Sequence, residues 1–233
     1  MGTVAANIEI IRARIRAVAE RAGRDPDSVR LVAVSKRQPV EAIREAMAAG
    51  QKVFGENYLQ EAEDKVAALG QGLIWHCIGH LQSNKARIAA EIFDCIETID
   101  RLKLAKALET RLAELGKTMP VLVQVNVGGE AQKAGVAPEE AGQLCRELQQ
   151  FPHLILQGLM TMPPFAEDPE ESRGYFRRLR LLGEELTAQG LLGLHGRVEL
   201  SMGMSGDFEV AIEEGATLVR VGTALFGERN QAV

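Results

Sequence analysis

A lysine at the end of a short apolar run carries the clearest chemistry in this sequence. Residues 31–36 read LVAVSK, four apolar residues followed by Ser35 and Lys36, a pattern typical of a buried strand that ends at its lysine. In a parallel α/β fold that end of the strand faces the active site. A partly desolvated lysine there loses its preference for the ammonium form, and the neutral amine can attack a carbonyl to form a Schiff base. On this stretch alone, a solvated lysine that ends a strand is the simpler interpretation.

Two glycine-containing segments follow the last two predicted strands. The first, SMGMSGDF at 201–208, offers the Ser201 hydroxyl, and its Gly203 lets the backbone come close to a ligand. Ser205 is the predicted N-cap of the helix that follows.

The second segment, RVGTALFG at 220–227, offers the cation of Arg220 and then Gly222 and Thr223 at the start of a short helix. Free N–H groups at a helix start, together with the helix dipole, attract anions. An ordinary capped turn explains each segment separately. In barrels, however, phosphate is commonly held after strands seven and eight, so the two segments together predict a phosphate site.

A Schiff-base lysine opposite a phosphate site suggests a phosphorylated aldehyde, and pyridoxal 5′-phosphate (PLP) is the obvious one. Arg220 then has a role facing the pyridine nitrogen of PLP. Because a guanidinium can only donate hydrogen bonds, it keeps that nitrogen unprotonated and weakens the ring as an electron sink. Transaminase chemistry, which pairs the nitrogen with a carboxylate, is disfavoured.

The elements that must position these residues alternate along the chain. An amphipathic helix is predicted over 4–22, because its apolar residues recur every three or four positions and Gly23 follows as a stop. Strands are predicted near 31–35, 52–54, 73–78, 94–98, 120–127, 154–160, 197–201 and 217–221. Helices are predicted between them at 40–49, 59–69, 84–90, 101–115, 138–150, 169–189 and 207–214.

Eight strand and helix pairs predict an α/β fold, a (β/α)8 TIM barrel with an extra N-terminal helix over its bottom or side. Residues 1–233 are expected to form one domain, since no Ser/Pro-rich linker divides them. An open doubly wound sheet is the alternative. It would normally bring a glycine-rich turn after the first strand, where this chain has SKRQP, and the sequence carries no dinucleotide fingerprint, Walker loop or HExxH motif.

The composition and charge of the chain restrict the classes of binding partner and the cellular compartment that we expect. A net charge of −5 gives no broad attraction to nucleic acid or anionic lipid. No run of about 18 apolar residues predicts a membrane span, and the amino terminus is unlike a signal peptide. Three widely spaced cysteines suit reduced thiols, so a cytoplasmic location is expected. His76 and His80 are four residues apart, but Gly79 and a strand setting argue against a metal site.

The motifs together resemble one family. LVAVSK, FGENYLQE, WHCIGHLQSNK, VQVNVGGEAQKAG, GLMTMPP, LSMGMSGDF and VRVGTALFG occur in order over nearly the whole chain, and they look like the pyridoxal phosphate homeostasis protein family, a single-domain relative of the alanine racemase amino-terminal barrel. The resemblance implies Lys36 as the cofactor lysine and Arg220 beside the ring nitrogen. It also implies phosphate contacts at Ser201, Gly222 and Thr223, and wall positions at Asn57, His80 and Met160.

Three functions remain open on the sequence. A non-catalytic protein would bind PLP and buffer it or hand it on, with apo-enzymes that need PLP as possible recipients and a monomer as the expected state. An amino-acid racemase needs an acid or base on each face of the substrate carbon; in the racemases one comes from a second domain and partner subunit, and this chain ends soon after its last predicted strand. A Schiff-base aldolase fits the lysine and phosphate site, but no acid/base carboxylate is evident beside Lys36. We expect the non-catalytic carrier.

Overall fold

The computed structural model describes residues 2–130 and 132–227. Within these ranges strands and helices alternate in the order α1 (Val4–Arg21), β1 (Arg30–Val34), α2 (Val40–Ala48), β2 (Val53–Glu56), α3 (Leu59–Leu69), β3 (Ile74–Cys77), α4 (Ala86–Ile92), β4 (Cys95–Ile99), α5 (Leu102–Leu115), β5 (Met119–Gln124), α6 (Pro138–Leu148), β6 (Leu154–Met160), α7 (Arg173–Ala188), β7 (Glu199–Ser201), α8 (Phe208–Glu213), β8 (Leu218–Val221) and α9 (Thr223–Phe226).

The eight strands form a closed parallel barrel in sequence order. Closure is made by β1, which pairs with β2 on one side and with β8 on the other, where Leu31 lies opposite Val219. The predicted (β/α)8 barrel is therefore confirmed, and the open sheet was the wrong alternative. The one-domain assignment of residues 1–233 stays a prediction.

The predicted strand ends differ from the observed ones for physical reasons. Strand β5 ends at Gln124, short of the predicted 127, because Val125 leaves the ladder and forms an isolated bridge with Val136. Strand β2 continues to Glu56, beyond the predicted 54, because its pairing with β3 runs on to Glu56 opposite Cys77.

The extra helix α1 covers the side of the barrel. Thr3 caps it by accepting the backbone N–H of Ala6 at 3.2 Å, and its apolar stripe, which includes Ile8 and Ile11, is buried. It packs against α2, α8 and α9. The Asn7 side chain donates to the carbonyl of Leu225 at 2.8 Å. Helix α1 thus joins the last elements of the chain to the first ones.

Apolar side chains form two cores. The larger lies between the barrel and its helices and includes Phe54 and Trp75, whose rings are 5.5 Å apart. The smaller contains Val32, Leu122, Met160 and Leu218. Since its members come from β1, β5, β6 and β8 and from no helix, it fills the inside of the barrel.

No helix in the described ranges is both long enough and apolar enough to pass through a bilayer.

Candidate functional site

A cavity of about 380 Å³ opens at the carboxyl ends of the strands, within the usual size range of ligand pockets. Its wall includes residues that follow β1, β2 and β8, among them Lys36, Asn57 and Gly222. A parallel barrel brings these strand ends to one face, as in other barrels of this kind. Lys36, Asn57, Arg220, Gly222 and Thr223 are the predicted site residues that the structure brings together here.

Lys36 lies on a tight turn directly after β1. The N–H of Ser35 donates to the carbonyl of Gly55 at 3.1 Å, which extends the β1–β2 pairing by one residue. The N–H of Gln38 donates to the carbonyl of Ser35 at 3.0 Å and closes a four-residue turn. Lys36 is therefore half-buried at the cavity wall, on a backbone fixed at both ends of the turn.

Two backbone N–H groups at the start of α9 converge on one oxygen. Gly222 and Ala224 donate to Oγ of Ser205 at 3.2 and 3.4 Å. The prediction of Ser205 as the N-cap of α8 is therefore wrong. Asp207 holds the N-cap position, and its Oδ1 accepts the N–H of Met204 at 2.6 Å. The Ser205 hydroxyl marks a place where an acceptor oxygen is held at the cavity wall, as an anion requires.

Arg220 is 3% exposed, and its guanidinium is fixed by two residues. One nitrogen donates to Oγ of Ser201 at 2.6 Å and the other to the carbonyl of Thr161 at 2.7 Å. Burial lowers the pKa of Arg220, although Glu97 and Asp207 oppose that shift. The side chain thus presents a fixed cation to the cavity that it lines.

Glu97 connects Arg220 to His76 inside the barrel. Its two oxygens meet Nδ1 of His76 at 2.6 Å and Oγ of Ser201 at 2.5 Å. Burial acts to raise the pKa of Glu97, but the hydrogen bond and charge of His76, with Arg220 and Ser201, lower it below its usual range. A buried carboxylate therefore balances the buried guanidinium through Ser201.

Ser201 and Gly203 lie beside Arg220 and are absent from the cavity wall. The Ser201 side chain is fully buried in the chain of contacts just described. Gly203 has a φ of +90°, and its carbonyl accepts the N–H of Arg220 at 3.0 Å. A Cβ at Gly203 would lie 2.5 Å from that of Ala211, so only glycine fits there.

The three predicted wall residues fall in different places. Asn57 lines the cavity, and a Cβ at Gly79 would lie 2.3 Å from its carbonyl oxygen, so the glycine permits this close approach. His80 does not line it: the side chain is 53% exposed, with Nδ1 3.7 Å from Oδ2 of Asp100. Met160 belongs to the core inside the barrel.

Sequence reasoning missed part of the wall. Met162, Pro164 and Phe165, in the loop after β6, line the cavity, and Phe165 is 90% exposed. The motif GLMTMPP marked this region, but an apolar loop carries no chemical signal of its own. Ser205 stood in a recognised motif and was assigned to the wrong helix, because α8 and α9 both begin near it.

The three cysteines lie outside the cavity wall as it is described. All three cysteines are buried free thiols, and burial raises the pKa of Cys77 and Cys145 to about 12. Such thiols are weak nucleophiles. Across residues 2–130 and 132–227, no group of three His, Cys, Asp or Glu side chains is arranged to hold a metal ion.

The class of this protein is defined by three features together. These are the closed barrel, the turn that carries Lys36 and the two N–H groups at the start of α9. The family model described as the alanine racemase N-terminal domain matches residues 6–230, so this chain belongs to that family. A protein of Pseudomonas aeruginosa named pyridoxal phosphate homeostasis protein is 51% identical over 232 residues, which cover 99% of this chain and 97% of the other. The resemblance seen in the motifs is confirmed.

Solved structures agree with this placement. The structure of PipY from Synechococcus elongatus with PLP bound aligns with a TM-score of 0.83 at 39% identity, covering 96% of this chain and 100% of that one. An alanine racemase from Clostridium difficile aligns with a TM-score of 0.76 at 16% identity, over 99% of this chain and 58% of the racemase. At that identity the second likeness concerns the fold alone.

Proposed function

We propose that this protein binds PLP in the cavity at the strand ends, as a Schiff base with Lys36, and acts in PLP homeostasis as a carrier or buffer without a catalytic reaction of its own. The observation that carries the proposal is the shared wall: a half-buried Lys36, a fixed Arg220 and Ser205, whose Oγ accepts two converging backbone N–H groups, line one cavity. Relatives named for PLP homeostasis and the PLP-bound PipY structure support it.

The residues present fit the chemistry of PLP. When bound, PLP supplies an aldehyde that condenses with a primary amine, an electron-withdrawing ring and a phosphate. The N–H groups of Gly222 and Ala224 already hold one oxygen, and a phosphate oxygen would replace it. Arg220 would donate toward the ring nitrogen and keep it unprotonated.

The other predicted site residues have different roles: some contact PLP directly and some hold Arg220 in place. Asn57 and Thr223 line the cavity and are assigned to PLP directly. We assign Ser201 and Gly203 to fixing Arg220, since both contact it. His80 and Met160, which lie off the wall, stay predictions from the family resemblance.

A carrier is favoured over a racemase or an aldolase by the ionisable groups of the wall. Among the wall residues that the structure describes, these are Lys36, Asp207 and Arg220. Arg220 is held by Ser201 and Thr161, and Asp207 accepts the N–H of Met204. Racemisation requires a positioned acid or base on each face of the substrate carbon, whereas Arg220 and Asp207 are already engaged in these contacts within the described part of the wall.

The recipients of PLP, the oligomeric state and the cellular compartment are part of the same proposal. We propose that apo-enzymes requiring PLP receive it, that the protein acts as a monomer, and that it works in the cytoplasm. Three free, buried thiols suit a reducing compartment.

The direct test is the substitution Lys36→Ala. We expect the wild-type protein to show a visible absorbance band with PLP and to become labelled at Lys36 after borohydride reduction. The variant should show neither, with unfolding unchanged, because Lys36 lies on the turn after β1 and outside the cores. The matched control is Lys85→Ala, because Lys85 is an exposed lysine between β3 and α4. Labelling of one defined lysine in Lys36→Ala would refute the assignment.

A further inference from the structure

A buried charge cluster lies behind the turn that carries Lys36. It consists of Glu56, Glu61 and Lys65, which we call the Lys65 clamp. Lys65 is 4% exposed, and its Nζ lies 2.6 Å from the carbonyl of Ser35, 2.7 Å from Oε1 of Glu56 and 2.6 Å from Oε1 of Glu61. An ammonium has three protons to donate, so each finds an acceptor in the clamp or in the turn.

The clamp contacts the residue on each side of Lys36. On the amino side, the Ser35 hydroxyl donates to Oε1 of Glu56 at 2.6 Å, and its carbonyl accepts from Lys65. On the carboxyl side, the backbone N–H of Arg37 donates to Oε1 of Glu61. Lys36 therefore stands between Ser35, which is tied to both β2 and α3, and Arg37, which is tied to α3.

The turn needs this support because of Arg37. Its φ is +58°, and among residues 2–130 and 132–227 it is the one residue other than glycine in the left-handed region. The third position of such a turn usually holds glycine, since side chains are strained there. A strained residue persists only where its surroundings fix it, and such residues concentrate at functional sites. The Arg37 side chain is exposed, with its guanidinium 5.9 Å from the centroid of the Tyr58 ring, and the Glu61 contact to its backbone N–H supplies the fixation at the turn itself.

The clamp is costly as a purely stabilising device. Its two carboxylates face one ammonium, and Oε2 of Glu56 is buried without a hydrogen-bond partner. Burial raises the pKa of Glu56, against the opposing effects of Lys65 and Ser35. Well-packed apolar side chains commonly stabilise such a place at least as well as buried charges do. The arrangement is better explained by the geometry that it imposes on the turn.

We propose that Glu61 and Lys65 are positioning residues that hold the 35–38 turn in its strained form, so that the Lys36 amine meets a ligand aldehyde in one orientation. This inference rests on the proposed attachment of PLP to Lys36. The clamp lies outside the cavity wall and contacts the turn, so it acts on the lysine and leaves the phosphate and ring contacts alone.

The test compares PLP with pyridoxamine 5′-phosphate, which has the same ring and phosphate but no aldehyde to condense with a lysine. The variant is Glu61→Ala, and the control is Glu63→Ala, an exposed carboxylate on the same helix. In Glu61→Ala we expect the Kd for PLP to rise about 10- to 100-fold, the usual scale for a misplaced reacting group. The visible circular dichroism of bound PLP should weaken, while the Kd for pyridoxamine 5′-phosphate stays near that of the control.

Glu61→Gln keeps an oxygen for the Arg37 N–H and should restore most of the dichroism signal. Lys65→Met should behave like Glu61→Ala if it folds. If it does not fold, the comparison of Glu61→Ala with Glu61→Gln tests the inference. Unchanged PLP affinity and dichroism in Glu61→Ala would overturn the inference, as would an equal loss of affinity for both ligands. A wild-type protein that binds both ligands equally and traps no PLP with borohydride would refute the proposed function, and the inference with it.

Discussion

The pair of N–H groups at the start of α9 gives a quantitative expectation for the phosphate of PLP. Pyridoxal, which has the same ring and aldehyde without the phosphate, is the natural comparison. Both compounds carry the aldehyde that is proposed to react with Lys36, so the ratio of their dissociation constants isolates the phosphate contribution.

The structure sets the size of that ratio. Gly222 and Ala224 each donate to the neutral Ser205 hydroxyl, at 3.2 and 3.4 Å. A neutral hydrogen bond contributes about 0.5–1.5 kcal/mol and one to a charged group about 1.5–3 kcal/mol. Replacing the hydroxyl by a phosphate oxygen therefore gains about 1–1.5 kcal/mol per bond, or about 2–3 kcal/mol for the pair. At 1.4 kcal/mol per factor of ten, PLP should bind about 30- to 140-fold more tightly than pyridoxal.

Calorimetric titration of the wild-type protein with each compound measures the ratio. Inorganic phosphate should compete with PLP and leave pyridoxal binding unaffected, because the two share no contact. The PLP affinity should also fall below about pH 6, where the phosphate dianion takes up one proton and becomes a monoanion. Dissociation constants for PLP and pyridoxal within threefold of each other would refute the role given to these N–H groups.

Further predictions concern the barrel interior and the absence of turnover. Glu97→Gln leaves the Arg220 guanidinium buried without its carboxylate, a loss of about 3 kcal/mol that should lower Tm by about 6–12 °C; a thermal unfolding shift below about 2 °C would contradict this. The folded-state pKa of Glu97 is lowered, so the stability it contributes is present above its unfolded pKa of about 4.3 and is lost as pH falls through the folded value. Urea unfolding at pH 7 and pH 3 should show a smaller acid loss in Glu97→Gln than in the wild type. With L-alanine in deuterium oxide, the PLP-loaded protein should exchange the α-proton of the amino acid more slowly than about 1 per second, the low end of ordinary enzymes. Faster exchange would favour a racemase. The PLP-loaded protein should also restore activity to an apo-enzyme that needs PLP.

Much of the fold could be predicted because its signals are local. Each strand is a short apolar run and each helix an amphipathic pattern, and eight alternating pairs leave few topologies. Strand ends were less predictable, since they depend on pairing. Val125 continues the apolar pattern of β5 but bridges Val136 instead of extending the ladder, a long-range event that no local pattern encodes.

The place of a residue at the cavity was predictable where that residue follows a strand, as Lys36 and Gly222 do. It was not predictable where function depends on contacts between distant elements. Lys65 appears in the sequence as one polar residue of an amphipathic helix, and only folding brings it to Ser35. Ser205 was misassigned because two helices begin near it and the sequence does not say which set of N–H groups its hydroxyl meets.

The link from Glu97 through Ser201 to Arg220 also restricts how this barrel can change over time. A carboxylate in place of Arg220 would stand one hydroxyl away from the ionised Glu97, which would place two like charges among buried side chains. A carboxylate at position 220 therefore requires that Glu97 be replaced as well. Replacement of Glu97 alone leaves the Arg220 cation buried without its carboxylate. The two positions can be exchanged only together, so the interior of the barrel restricts which chemistry can evolve at its mouth.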